Sequence, residues 1–169
     1  MDLGPELKEM FQRYHFSYHL SPMFYRDTDH ILIGFHIEEA IYVPRYYGYG
    51  RKGKYGDRES MVRHIKAEII ERASDTVLIL VKSRPEVIKE RMRKYHHEQT
   101  VLREEDVDET VALFEEHYNN SLLRYRFVLD TSELTVGQTM EEFVVKIQPV
   151  LSDSDRLRIQ THSARLLGN

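Results

Sequence analysis

The amino-acid sequence predicts an α/β protein in which a small, mainly parallel sheet is flanked by helices in three layers. Three short apolar runs, at residues 30–35, 76–82 and 125–130, are typical of strands. The segments between and around them carry apolar residues at every third or fourth position, which is the spacing of amphipathic helices. Strands that alternate with helices pair in parallel, because each helix carries the chain back to the same end of the sheet.

Length and composition narrow the class of protein. The chain has 169 residues, which suits one domain, predicted at 1–150, followed by a tail or loose helix at 151–169. Its 24 basic and 28 acidic residues give a net charge of -4, so overall charge does not favour nucleic acid as a partner. The absence of cysteine excludes disulfides and thiolate metal sites. No apolar stretch approaches the ~18 residues that span a bilayer and no signal peptide is recognisable, so we expect a cytoplasmic protein without membrane contact.

The first half of the chain is predicted to contain two helices, a strand and a loop. Residues 5–18 keep apolar side chains at helical spacing and predict an amphipathic helix. The run from His30 to Phe35 predicts a strand. The segment from Tyr42 to Gly56 is rich in Tyr, Gly and basic residues without a helical period, and it predicts a loop. Asp57 is a suitable N-cap for a helix whose apolar residues repeat every four positions.

The second half is organised around a strand and the helix that follows it. The run from Thr76 to Lys82 is almost entirely apolar and predicts a strand that is buried on both faces. Pro85 suits the first helical turn, because its missing N–H would have no partner there and its φ is already helical. Arg91, Arg93 and Lys94 cluster at the far end of this helix, where they either complement the helix dipole or hold phosphate.

Two further helices and one strand complete the predicted fold. Residues 104–122 carry one apolar stripe opposite a strongly acidic face. The run from Tyr125 to Asp130 alternates in polarity and ends in a carboxylate, so it predicts the third strand. Thr135 and Gln138 have the spacing of a capping box and predict the start of a last helix.

Three local strings carry a resemblance to a known family. They are Ile31-Leu32 followed by the segment from Phe35 to Tyr42, Ser83-Arg84-Pro85-Glu86 leading to Arg91, and Leu129-Asp130-Thr131-Ser132. With the order of elements over residues 5–150, they resemble the thymidylate kinase and deoxynucleoside kinase branch of the P-loop nucleotide kinases. The resemblance implies a P-loop-kinase-like sheet and phosphoryl transfer from ATP to a nucleotide or nucleoside, with ATP and Mg²⁺ as cofactors of an active chain.

The resemblance also implies three groups of site residues. The cations that would close over phosphates from a lid are Arg91, Arg93 and Arg103. The residues that would form the acceptor pocket are His36, Glu39, Tyr42 and Arg45. The residues of the loop near the adenine are Thr131, Ser132 and Leu134. Without the family resemblance, a structural role is equally compatible with the sequence. His36 is then a partly buried ring whose hydrogen bonds are satisfied within the protein, and Glu39 supports the start of a helix.

Two departures from the family pattern limit this interpretation. Ile33 and Gly34 stand where the family has a carboxylate and a phosphate-binding arginine, and an isoleucine cannot act as a base or orient Mg²⁺. No Walker A loop precedes the first helix, so a kinase of this class would lack its phosphate cradle and its central strand. We therefore expect a domain that is incomplete at its N-terminus and inactive or incomplete as a kinase by itself. The missing strand leaves three possibilities: the remaining strands pair directly, a partner in a homo-oligomer supplies a strand, or the chain is part of a longer reading frame. The alternative function is a non-catalytic scaffold that binds a nucleotide, RNA or protein.

A near match to a phosphate loop lies between Gly48 and Lys54. The string from Gly48 through Gly53 to Lys54 fits G-x-x-x-x-G-K, with Tyr55 in place of the Mg²⁺-binding Ser or Thr. Only three apolar residues precede it and Pro44 follows them, which favours a mobile Gly-rich loop over a true phosphate cradle. The interleaved arginines, lysines and tyrosines are also able to neutralise phosphates and stack bases, or to pack as a solvated turn.

Adjacent histidines at His96 and His97, followed by Glu98, suggest a metal site. Neighbouring side chains in an extended segment point to opposite sides, and the chain has no cysteine to complete a soft site. We therefore expect no metal there.

Overall fold

The computed structural model describes residues 3–24, 30–95 and 100–167. Within these ranges the chain forms seven α-helices, two short 3-10 helices and two strands. In chain order they are α1 (Pro5–His19), α2 (Phe35–Tyr46), α3 (Arg58–Arg72), β1 (Val77–Lys82), α4 (Pro85–Lys94), a 3-10 helix (Glu104–Asp106), α5 (Val107–Asn119), β2 (Tyr125–Asp130), α6 (Val136–Ile147), a 3-10 helix (Gln148–Val150) and α7 (Asp153–Leu167). None of the helices in these ranges combines the length and apolarity that crossing a bilayer requires.

The two strands pair in parallel and confirm the α/β class. Their register places Val77 opposite Tyr125 and Lys82 opposite Asp130. The strands are joined through α4 and α5, as expected for a parallel pair that needs a helical crossover. In the described part of the chain no further strand joins this sheet, so each of its strands has one free edge.

Helices contact both faces of the sheet. Lys82 Nζ donates to Glu115 Oε1 of α5 at 2.8 Å. On β2, the Phe127 ring lies 6.2 Å from the Phe143 ring of α6. Successive side chains of a strand point to opposite faces, and the register pairs Phe127 with Ile79, so these two contacts lie on opposite sides of the sheet.

The predicted strand from His30 to Phe35 is wrong. The chain has no strand there, and α2 already begins at Phe35. Gly34 and Phe35 both have positive φ, at 72° and 42°, which turns the backbone out of an extended path. Ile31 and Ile33 are each 90% exposed. An apolar run without a neighbouring strand to bond with does not become a strand, whatever its composition.

The predicted loop from Tyr42 to Gly56 is wrong in its first part. Helix α2 continues to Tyr46 with Pro44 inside it. Pro44 lies in the last turn, where its missing N–H removes a single helical hydrogen bond. Burial of Ile41 and Val43 stabilises this turn. The loop proper runs from residue 47 to residue 57.

The predicted helix starts are confirmed by their caps. Asp57 accepts a hydrogen bond from the Ser60 backbone N–H at 3.0 Å, and Pro85 occupies the first turn of α4. Thr135 and Gln138 form the reciprocal bonds of a capping box at α6. These signals are local, so they act regardless of how the helices pack.

The burial predicted for the strand at Thr76 to Lys82 is wrong. No residue of β1 is fully buried, and Val81 is 62% exposed. A sheet of two strands leaves one edge of each strand without a neighbour, and this reduces the cover over its side chains. The hydrophobic core lies instead among the helices, where Phe16 of α1 packs with Ile65 and Ile69 of α3.

Candidate functional site

A cleft between α2, α5 and the loop after α2 has the volume and the charges of a ligand site. Its volume is about 440 Å³. The apolar residues of its wall include Ile41, Pro44 and Leu113, and its polar groups are Arg45, Arg51 and His117. The helices are held together beside it by the Tyr46 hydroxyl, which donates to Asp106 Oδ2 at 2.6 Å.

The cations of the cleft differ in how far they are neutralised. Arg45 Nη2 lies 2.5 Å from Glu109 Oε1, and Arg45 Nη1 lies 3.4 Å from Asp106 Oδ1. The hydrogen bond that Arg45 donates to Glu109 is the main reason that the pKa of Arg45 is raised. Arg51 is exposed and its side chain has no hydrogen-bond or ion-pair partner among the described residues. The cleft therefore carries one cation that is free to pair with an anion.

His117 adds a neutral ring to the same cleft. Burial lowers the pKa of His117, and the positive charge of Lys66 lowers it further. A neutral imidazole offers one donor and one acceptor rather than a charge. Together with the guanidinium of Arg51, the His117 ring would favour a ligand with hydrogen-bonding groups over a simple inorganic ion.

The four residues predicted for the acceptor pocket all lie on α2, but they diverge. His36 is buried towards α3, Glu39 faces Arg58, and Tyr42 packs with its ring 6.0 Å from that of Phe114. Arg45 alone lines the cleft. Each step of three residues along an α-helix falls about 60° short of a full turn. Three such steps, from His36 to Arg45, therefore spread the four side chains over about half of the helix circumference. Sequence spacing of three, repeated, cannot aim four side chains at one pocket.

Glu39 belongs instead to a buried network that we call the Arg58 cluster: Glu9, Gln12, Glu39, Tyr49 and Arg58. The Arg58 side chain is 1% exposed, and its Nε lies 3.4 Å from Glu39 Oε2 and its Nη1 3.7 Å from Glu9 Oε1. Gln12 joins the two ends: its Nε2 donates to Glu39 at 2.7 Å, and its Oε1 accepts from Arg58 Nη2 at 2.7 Å. One buried cation thus serves two carboxylates from different helices.

The pKa of Glu39 is raised to about 7. Burial is the main cause, the Arg58 charge opposes it, and the nearby carboxylate of Glu38 adds to it. The pKa of Glu9 behaves differently: burial opposes its ionisation, yet Arg13 and Arg58 together hold its pKa below the ordinary value. The cluster therefore holds one firmly ionised carboxylate and one that titrates near neutral pH.

This titration predicts a specific pH dependence of stability. The pKa of Glu39 rises from 4.5 to about 7 on folding, so its stabilising contribution is complete below pH 4.5 and is lost as the pH rises through 7. Glu39→Gln keeps the acceptor for Gln12 and removes the titration. We expect its free energy of unfolding, relative to the unmodified chain, to increase by roughly 2 to 3 kcal/mol over this window. Urea titrations at a series of pH values measure the difference, and a flat curve for Glu39→Gln would contradict the assignment.

The three predicted lid cations are engaged with the protein itself. Arg91 Nη2 donates to the Thr131 carbonyl at 2.5 Å, and its Nη1 donates to Thr131 Oγ1 at 3.1 Å. Arg93 Nε donates to the Lys89 carbonyl at 3.2 Å. The Arg103 guanidinium lies over the Tyr46 ring at 5.8 Å. These contacts hold the three cations to different parts of the chain: the loop after β2, α4 itself and the end of α2.

The loop predicted to lie near adenine is fixed at the carboxyl ends of both strands. The Thr131 N–H donates to the Lys82 carbonyl at 2.8 Å, and Ser132 Oγ accepts from the Arg84 N–H at 2.9 Å. Leu134 is half-buried just before α6. This edge is where parallel sheets usually bind ligands, but here its polar groups satisfy each other.

The predicted phosphate loop does not present its amides as a cradle. It follows α2 rather than a strand, and the Gly53 N–H donates at 2.7 Å to Asp57 Oδ2. The chain's own carboxylate therefore occupies a place that a phosphate oxygen would need. Gly48 is exposed with a φ of 79°, and Lys54 is exposed. The adjacent Arg51, rather than Lys54, faces a cavity.

Metal ligation has no candidate among the described residues, which hold no group of three or more His, Asp or Glu side chains placed to bind an ion. The segment with His96, His97 and Glu98 lies outside the described residues.

Sequence reasoning missed the buried role of Arg58, although a signal was present. Arg58, Val62, Ile65 and Ile69 follow the spacing of one helical face, and they are the four buried residues of α3. A cation in line with an apolar stripe indicates a buried, paired charge. His117 and Lys66 gave no comparable signal, because their environment depends on contacts between distant segments.

The chain was compared with protein families, curated proteins and solved structures. No family model, curated protein or solved structure matches it.

Proposed function

We propose that this chain binds a nucleotide, with the phosphate held by Arg51 and Arg45 in the cleft between α2 and α5. The observation that carries the proposal is the exposed Arg51 guanidinium, without an acidic partner among the described residues, at the edge of a cavity with an apolar wall. Arginine matches the geometry of a phosphate with two parallel hydrogen bonds. A volume of about 440 Å³ is within the range of ligand pockets.

The wall of the cleft suits the remainder of a nucleotide. Ile41, Pro44 and Leu113 provide apolar surface for a base, and the neutral His117 ring provides a donor and an acceptor. Apolar lining with a few convergent polar groups is the usual composition of a small-molecule site. Nearby, Arg45 is already paired with carboxylates, so Arg51 supplies most of the net attraction for an anion.

The resemblance of the sequence to nucleotide kinases is the reason for proposing a nucleotide rather than another phosphorylated ligand. The parallel pair of β1 and β2 and the helix that begins at Pro85 are compatible with such a scaffold. In this proposal the cleft is the acceptor side of a thymidylate kinase-like scaffold, and the ligand is a nucleoside monophosphate. Phosphoryl transfer would require ATP and Mg²⁺; binding alone does not.

Calorimetric titration with thymidine monophosphate, with and without Mg-ATP, tests the proposal. Arg51→Glu should weaken binding by about tenfold or more, because it removes a charge-assisted pair worth roughly 1.5 to 3 kcal/mol and adds repulsion. Lys52→Glu is the matched control: Lys52 is adjacent and exposed, and it pairs with Glu59 instead of lining the cleft. Equal effects of the two substitutions, or no saturable binding by the unmodified chain, would contradict the proposal.

The same samples separate binding from catalysis. Formation of ADP and thymidine diphosphate from Mg-ATP and thymidine monophosphate would identify a kinase. Saturable binding without turnover would identify a nucleotide-binding scaffold.

A further inference from the structure

A second cavity lies at the N-terminal end of α2, between α3, the start of β1 and the segment before β2. Its volume is about 270 Å³. Most of its wall is apolar and includes Ile37, Ile69, Leu78 and Leu122. None of the residues that line it is acidic, whereas Lys66 and Arg63 both reach it. It shares no lining residue with the cleft between α2 and α5.

Two polar groups in this cavity lack partners within the described residues. His36 is 7% exposed, lines the cavity, and has a buried Nδ1 without a hydrogen bond. Lys66 is half-buried and forms no ion pair with the described residues, whereas Arg63 is paired with Glu59 at 2.9 Å. A buried polar atom without a hydrogen bond destabilises the fold, so His36 Nδ1 favours a ligand that would satisfy it, and the unpaired Lys66 favours an anion.

We propose that this cavity binds a small amphiphilic monocarboxylate, whose carboxylate pairs with Lys66 and accepts a hydrogen bond from His36 while its apolar body lies against Ile69 and Leu78. A single ammonium compensates a single negative charge. A phosphate dianion would retain an uncompensated charge in a partly buried site, which is costly. The apolar wall requires a hydrocarbon or aromatic body rather than a sugar.

The volume limits the ligand to a small molecule. By proportion to a cavity of about 150 Å³ that takes benzene, 270 Å³ holds roughly ten non-hydrogen atoms. A carboxylate with a chain of about eight carbons has this size. Burial lowers the pKa of His36 to about 3, so the ring is neutral and acts as a hydrogen-bond donor while Lys66 carries the charge.

Octanoate, octan-1-ol and octylamine are the probes that test this site on the full chain, with binding followed by NMR chemical shifts. Octanoate should bind saturably and shift the signals of Ile69, Ile70 and Leu78. The alcohol should bind at least about fivefold more weakly, because it lacks the ion pair. The amine should not compete. Inorganic phosphate at the same concentration should leave these signals unchanged.

Two substitutions keep the test decisive. Lys66→Met should weaken octanoate binding about tenfold and leave the alcohol unaffected, since it removes charge and keeps the apolar stem. Leu122→Glu, at a rim position that is 83% exposed and therefore tolerant of change, should weaken octanoate and strengthen octylamine. Lys52→Met, away from the cavity, should change neither. Equal affinity for acid and alcohol, an unchanged response in both variants, or no saturable shift with octanoate would overturn the proposal.

Discussion

Replacing Arg58 by methionine should lower the free energy of unfolding by about 3 to 5 kcal/mol. Methionine fills much of the same volume, so the loss reports the missing charge rather than a cavity. Glu9 is 3% exposed, and Glu39 is already poorly solvated; without Arg58, both carboxylates of the cluster would be left without their shared cation. Breaking a buried pair by removing one partner is costly because the remaining charge stays buried.

Urea denaturation at pH 7.5 measures this loss, and two companion variants identify its cause. Arg63→Met, on the same helix but with a side chain that is 66% exposed, should cost less than about 0.5 kcal/mol. The double variant Arg58→Met, Glu39→Gln should recover at least about 1 kcal/mol, because it removes the carboxylate that has lost its cation, whereas Glu9 keeps Arg13. A loss below about 1 kcal/mol for Arg58→Met, or no recovery in the double variant, would show that Arg58 does not hold the cluster together.

The Arg58 cluster also shows what sequence patterns can and cannot predict. The caps at Asp57 and Thr135 and the strand ending at Asp130 were predictable, because each depends on residues within a few positions of one another. The meeting of Glu9 with Arg58 was not. It depends on how α1 packs against the loop and α3, and charge alone predicts exposure for such residues.

The wrong strand at residues 30–35 has a related cause. Its apolar pattern was sufficient for a strand, but strands require a neighbour for their backbone groups, and the pattern does not reveal whether one exists. The candidate site was affected in the same way. Arg45 was predicted to bind a ligand and lines the cleft, whereas His36 and Glu39, although on the same helix, face two different environments.

Replacing Gly50 by alanine should destabilise the chain by about 2 to 4 kcal/mol. Gly50 has a φ of 85°, which an L-residue adopts at a cost of roughly 1 to 2 kcal/mol. An added Cβ would lie 2.8 Å from Val43 Cγ1 and 2.9 Å from Arg58 Cγ. Val43 and Arg58 are 0% and 1% exposed, so neither side chain has room to withdraw. Overpacking of this kind typically adds about 1 to 3 kcal/mol.

Gly53→Ala is the matched control, because it separates the backbone cost from the packing cost. Gly53 has a similar φ of 67°, but an added Cβ would meet nothing within 4 Å. It should therefore cost only about 1 kcal/mol, offset in part by the reduced freedom of the unfolded chain. Urea denaturation of both variants gives the difference directly. A difference below about 1 kcal/mol would mean that the loop can move away from Val43 and Arg58. In that case the position of the neighbouring Arg51, on which nucleotide binding in the cleft depends, would not be fixed by this packing.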